Sequence, residues 1–92
     1  MLRAHKAVSL IDKLNFLWCL CMIAHHNERQ EPVAYSIREE FGKDVYKMYM
    51  CYLEYAMIYG YVANDGHSLT AKGQKAVNSW RKISDNLFGD IG

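Results

Sequence analysis

A chain of 92 residues, 51% hydrophobic and 13% aromatic, is too apolar for a disordered tail and too short for a barrel or a multi-domain enzyme. Eleven basic against ten acidic side chains leave a net charge of +1, which excludes a histone-like, wholly electrostatic nucleic-acid binder. Seven Tyr, five Met and two Trp exceed what so small a core holds comfortably, so part of the apolar surface is expected to face a partner.

Cys19 and Cys21 lie in one apolar run and Cys51 in another. A secreted scaffold pairs its cysteines and spaces them through loops, so free thiols in a reducing cytoplasm are expected. The apolar run 16–24 has nine residues, half of a spanning helix, and no membrane contact is expected. Arg3, Lys6 and Lys13 ahead of it give a faint likeness to a signal peptide, against which Asp12 speaks. There is no repeat, low-complexity tract or linker, which makes 1–92 a single domain.

The first expected element is a helix over 9–26. Ser9 followed three residues later by Asp12 is a capping-box-like start. Leu10, Leu14, Leu17, Cys21 and Ala24 form a helical stripe, widened by Ile11, Trp18 and Met22, the pattern of a central and mostly buried helix. Polar residues 25–31 should end it. Residues 32–35 should be extended, because the residue before a proline is pushed from the helical region. A short helix over 36–42 follows, with Ile37 and Phe41 on its buried face and Gly42 as its stop.

Asp44 is the expected N-cap of a third helix over 44–59. Counted back from Gly60, its inner face is Tyr59, Ala56, Leu53, Tyr52, Tyr49 and Val45. Its other faces still carry Tyr46, Met50, Tyr55, Met57 and Ile58. A helix apolar nearly all round is buried on more than one side, and a chain of this length cannot surround it. A homodimer or another protein partner is therefore expected to cover those five residues. Residues 61–69 read as a β-hairpin about the Asp65-Gly66 turn signal. Thr70 then caps a last helix over 71–87, with Ala76, Val77, Trp80, Ile83 and Leu87 on one side, and residues 89–92 fray. Leu14, Leu17, Trp18, Ile37, Phe41, Leu53, Val62, Leu69, Val77 and Trp80 should form one core.

Two stretches carry a family likeness: residues 53–62, LEYAMIYGYV, and residues 69–77, LTAKGQKAV. Gly60-Tyr61-Val62 and Leu69-Thr70-Ala71-Lys72-Gly73 stand at the separation found where a recognition helix gives way to a wing and a closing helix. The chain thus resembles the winged helix-turn-helix family, in the form of its small standalone phage- or virus-like regulators, over about residues 32–80. The resemblance implies a mainly α fold with a small β-hairpin. It also implies a dimeric transcriptional regulator that reads duplex DNA with residues 36–41 and 44–52 and touches the backbone with its wing. The phosphate-binding candidates are Lys43, Lys47, His67, Lys72 and Lys75. The chain departs from the family pattern in its third helix, whose exposed face offers Tyr46, Lys47, Met50 and Glu54 rather than base-reading donors. The alternative is a non-enzymatic protein-interaction module, an adaptor or inhibitor, on the same scaffold.

Other chemistry is sparse. Between residues 66 and 84 stand Lys72, Lys75, Arg81 and Lys82 with no acid, either a phosphate-facing stripe or a solvated helix face. Glu28, Glu31, Glu39 and Glu40 form an acidic counterpart. Cys21 and His25 share a helix face but lack the further ligands of a zinc site, so no metal or cofactor is expected. No nucleophile elbow, phosphate-cradling glycine loop or metalloprotease motif occurs, and no enzyme is expected.

Overall fold

The computed structural model describes residues 9–89. Four helices follow in order: α1 (Leu10–Glu28), α2 (Val33–Phe41), α3 (Lys43–Ile58) and α4 (Ala71–Phe88). The expected fraying at 90–92 lies outside the described residues.

Helix α1 starts on Ser9, whose hydroxyl accepts the Asp12 N–H at 3.1 Å and donates to the Asp12 carboxylate at 2.9 Å. Asp12 in turn accepts the Tyr52 hydroxyl at 3.0 Å, which ties the first turn of α1 to the middle of α3. These hydrogen bonds, Ser9's first, hold the Asp12 carboxyl below its usual range. The helix continues through the polar residues 25–28, because polarity alone does not break a helix. What ends it is Gln30 in the left-handed region at φ 58°.

The extended segment expected at 32–35 is helical instead. Pro32 stands at the N-cap of α2 with φ −70°, and its carbonyl accepts the Ser36 N–H at 3.0 Å. Proline restrains the residue before it while suiting the first turn that follows. Val33 and Ile37, four residues apart, are the buried pair, and Phe41 is 45% exposed.

One residue joins α2 to α3. Gly42 has φ 90°, its N–H reaches the Arg38 carbonyl at 3.0 Å, and its own carbonyl accepts Tyr46 N–H at 3.1 Å. That geometry favours glycine. It also starts α3 at Lys43, so Asp44 lies inside the first turn rather than at the cap. Tyr49, Tyr52, Leu53 and Ala56 form the buried face of α3. Val45 is only half-buried, and Tyr59 is 47% exposed after the helix has ended.

The expected β-hairpin, and with it the winged helix-turn-helix architecture, is overturned. Every regular element among the described residues is a helix, and residues 61–69 pair only through one isolated bridge, Val62 with Leu69. The N–H groups of Tyr61 and Val62 both donate to the Ala56 carbonyl, at 2.8 and 3.1 Å, so the end of α3 takes the Tyr61 donor that would have extended the ladder opposite Thr70. Asp65 takes the next ones, accepting His67 and Ser68 N–H at 2.9 Å each. Thr70 then caps α4, leaving no length for a ladder.

Thr70 fastens this corner twice, accepting Gly73 N–H at 3.1 Å and donating to the Gly60 carbonyl at 2.5 Å. A Cβ on Gly73 would overlap the Tyr61 carbonyl oxygen, so only glycine lets α4 approach the corner this closely.

The core joins Cys19, Leu20, Ile23 and Ala24 of α1 to Val33 and Ile37, to Tyr49, Tyr52, Leu53 and Ala56, and to Val62 and Val77. Of the ten expected core residues, Ile37, Leu53, Val62 and Val77 are buried. Leu17, Trp18, Leu69 and Trp80 are half-buried, and Leu14 and Phe41 are exposed. The buried face of α1 is rotated by more than a right angle from the Leu10–Leu14–Leu17–Cys21 stripe, at about 100° per residue. Trp18 lies at the edge of the core, edge-on to Phe41 and Tyr49 at 6.2 and 6.3 Å.

Candidate functional surfaces

Three surfaces stand out once the core is assigned. The first is the outward ridge of α3: Lys43, Lys47, Met50, Glu54 and Ile58, all exposed and spaced at helical intervals. Met50 is 36% and Ile58 74% exposed. Lys43 and Lys47 are balanced by Asp44 and Glu54, so the ridge has apolar side chains and almost no net charge. Tyr46 borders it, half-buried, with the Arg38 guanidinium 5.6 Å above its ring. Tyr55 stacks on Tyr59 at 6.0 Å, with ring planes 11° apart. Met57 turns inward, half-buried against the core.

The second surface is the polar face of α4. Ala71, Gln74, Lys75, Asn78, Ser79 and Lys82 line a shallow trough of about 460 Å³. It holds two lysines and no acid. The acid-free run was legible in the sequence, whereas nothing in residue type or spacing marked Gln74, Asn78 and Ser79. Arg81 points elsewhere, making a bidentate pair with Glu28 of α1 at 2.9 Å on each arm. That hydrogen bonding lowers the Glu28 carboxyl and raises the guanidinium.

The five phosphate-binding candidates do not form one face. Lys43 and Lys47 belong to the α3 ridge, and Lys75 to the α4 trough. Lys72 donates to the Tyr59 carbonyl at 2.9 Å and sits 4.4 Å above the Tyr61 ring, tying α4 to the corner. His67 is exposed on the turn, its Nε2 3.8 Å from the Asp65 carboxylate. Asp65 also accepts the Ser68 hydroxyl at 2.6 Å, and this bond with the backbone bonds draws its carboxyl down to about 2.

The third surface consists of two helix ends. Leu10, Ile11 and Leu14 in the first turns of α1 are 70%, 70% and 49% exposed. Ile83, Leu87 and Phe88 in the last turns of α4 are 50%, 63% and 51% exposed. The exposure of Leu14 corrects its expected place in the core.

The interior offers little for covalent chemistry. Burial pushes the Cys19 thiol up to about 12, which suppresses its thiolate. Among the described residues no three His, Cys, Asp or Glu side chains converge as metal ligands. No helix among them is long and apolar enough to cross a membrane. Neither protein-family models nor curated proteins nor solved structures gave any match to this chain.

Proposed function

We propose that the chain is a non-enzymatic protein-interaction module, an adaptor or inhibitor that engages its target through the α3 ridge. The observation that carries this reading is the pairing of exposed Met50 and Ile58 with cancelled charge along the ridge. Contact centres are depleted in charge and enriched in Met and aromatic side chains, and here Tyr46, Tyr55 and Tyr59 surround the exposed pair. A DNA-reading helix needs the opposite: donors toward base edges and a positive field. The three free thiols fit a reducing cytoplasm as the place of action.

A photo-crosslinking side chain at position 58 tests this reading in cells, with Ser79 on the α4 trough as control. One discrete protein adduct at 58 is expected, competed away by unsubstituted chain but not by Met50→Glu. No adduct at 58, or equal competition by Met50→Glu, removes the reading.

The acid-free trough of α4 favours a second reading, a small duplex-DNA-binding regulator held mainly by phosphates through Lys75 and Lys82. Lys43, Lys47, His67 and Lys72 would contribute from neighbouring surfaces. Removing one lysine–phosphate interaction should lower the slope of log affinity against log salt by about one. Retardation of a duplex at ~50 mM salt, with a flatter slope for Lys75→Glu and for Lys82→Glu, would put this reading first.

A further inference from the structure

We infer that a second copy of this chain covers the two apolar helix ends, the start of α1 in one copy packing against the end of α4 in the other. The inference is independent of the α3 ridge. Two observations lead to it. Each end belongs to a seam with the alternating four- and three-residue spacing of helix-on-helix packing. In α1 the seam is Leu10, Leu14, Leu17 and Cys21; in α4 it is Ala76, Trp80, Ile83 and Leu87. Each seam is half-buried within the chain at one end and runs out of it at the other. Leu17 and Cys21 are half-buried while Leu10 and Leu14 are exposed, and Ala76 and Trp80 are half-buried while Ile83 and Leu87 are exposed. The outer turns expose their large apolar side chains, whereas short helical segments are held chiefly by packing.

The area identifies the occupant. The four exposed seam side chains with Ile11 and Phe88 beside them present roughly 600 Å² of apolar surface per protomer, so a two-fold pair that buries all six removes up to about 1,200 Å², the lower bound for a stable specific interface. One two-fold axis covers both ends at once, because α1 against the partner's α4 implies α4 against the partner's α1. No charged side chain lies within either seam.

Sedimentation velocity from about 1 to 100 μM is the test, on the full chain and on Leu14→Lys, Leu87→Glu and the double variant. The unsubstituted chain should dimerise in this range. Each single variant should raise the dissociation constant at least tenfold, with helical circular dichroism unchanged because both positions are exposed. The double variant sets Lys against Glu in both halves of a crossed pair and should recover most of the lost affinity. If either single variant loses helix content, Leu10→Lys and Ile83→Glu replace the pair. A monomeric unsubstituted chain at 100 μM overturns the inference, as do single variants that dimerise normally. An unrescued double variant overturns it as well, since it means like ends meet like.

Discussion

The corner at 59–73 and the two helix ends, 10–14 in α1 and 83–88 in α4, solve the packing problem by opposite means. In the corner, polar groups find partners at short range. Asp65, Thr70 and Lys72 close hydrogen bonds onto backbone atoms, and Gly73 removes the one Cβ that would obstruct them. Val62 anchors the corner in the core with Tyr61 and Leu69 packed against it, and directional bonds fix its shape. At the helix ends, among the described residues, only Asp12 makes such bonds, to Ser9 and Tyr52. These ends carry large apolar side chains whose burial is left to another surface. The contrast separates what determines the fold of one chain from what is available for association.

The most direct way to break the contrast is Gly73→Ala. Alanine favours the helix by about 1 kcal/mol relative to glycine. A Cβ overlapping the Tyr61 carbonyl requires the backbone itself to shift, and forced overpacking costs about 1–3 kcal/mol or more. The clash should win, with a net loss of about 2 kcal/mol in urea unfolding. A neutral or stabilised variant would show that the corner yields and is no more rigid than the helix ends.

Leu53→Ala calibrates the core against both regions. Leu53 is 5% exposed, and truncating a buried leucine costs about 2–5 kcal/mol. A loss under about 1 kcal/mol would displace the inner face of α3.

Local chemistry was legible in the sequence, and the orientation of helices was not. The Ser9 and Thr70 caps act through side chains over three residues and the Gly42 stop through its backbone φ, so residue type and spacing suffice. The face of α1 could not be read the same way. Phe16, Cys19, Leu20 and Ile23 compete with Leu10, Leu14, Leu17 and Cys21, and a helix apolar on both sides has no preferred direction until its neighbours are placed. The Asp65-Gly66 turn was visible. That Ala56 would take the Tyr61 N–H, and so stop the ladder at one bridge, depends on how α3 ends. The candidate surfaces divide similarly. The uncharged α3 residues and the acid-free α4 run are compositional, whereas the capture of Lys72 by the Tyr59 carbonyl is a product of the fold.

Acid should act on the corner through Asp65, and separately on the first turn of α1 through Asp12, whose carboxyl is also held below its usual range. The Asp65 carboxyl is lowered from 3.8 to about 2, so its bonds contribute stability that is fully present above pH 3.8 and is lost as the pH falls through about 2. A carboxyl-carbon NMR titration should place its midpoint near 2, with Ser68 amide shifts following the same curve. In Asp65→Asn this part of the acid response should be missing. A midpoint near 3.8 would mean the bonds to His67 and Ser68 N–H do not hold the carboxylate in solution.

The smallest effect on the single chain should come from Leu87→Ser. Leu87 is 63% exposed near the C-terminal end of α4, so its removal sacrifices little burial within the chain, and serine costs a few tenths of a kcal/mol in helix propensity. At concentrations where the chain is monomeric, the two proteins should unfold within about 0.5–1 kcal/mol of each other. The gap should then widen with concentration. A second copy that binds only the folded state stabilises it by RT ln(1 + [L]/Kd), and this term is available to the unsubstituted chain and much weaker in the variant. Melting temperatures measured across a hundredfold concentration range therefore separate the two kinds of region. Gly73→Ala should lower both ends of the range alike, and Leu87→Ser should lower only the concentrated end. A concentration-independent deficit above about 1.5 kcal/mol in Leu87→Ser would mean that Leu87 packs against its own chain. The end of α4 would then belong with the core, and the distinction between folding and associating surfaces would fail at that helix.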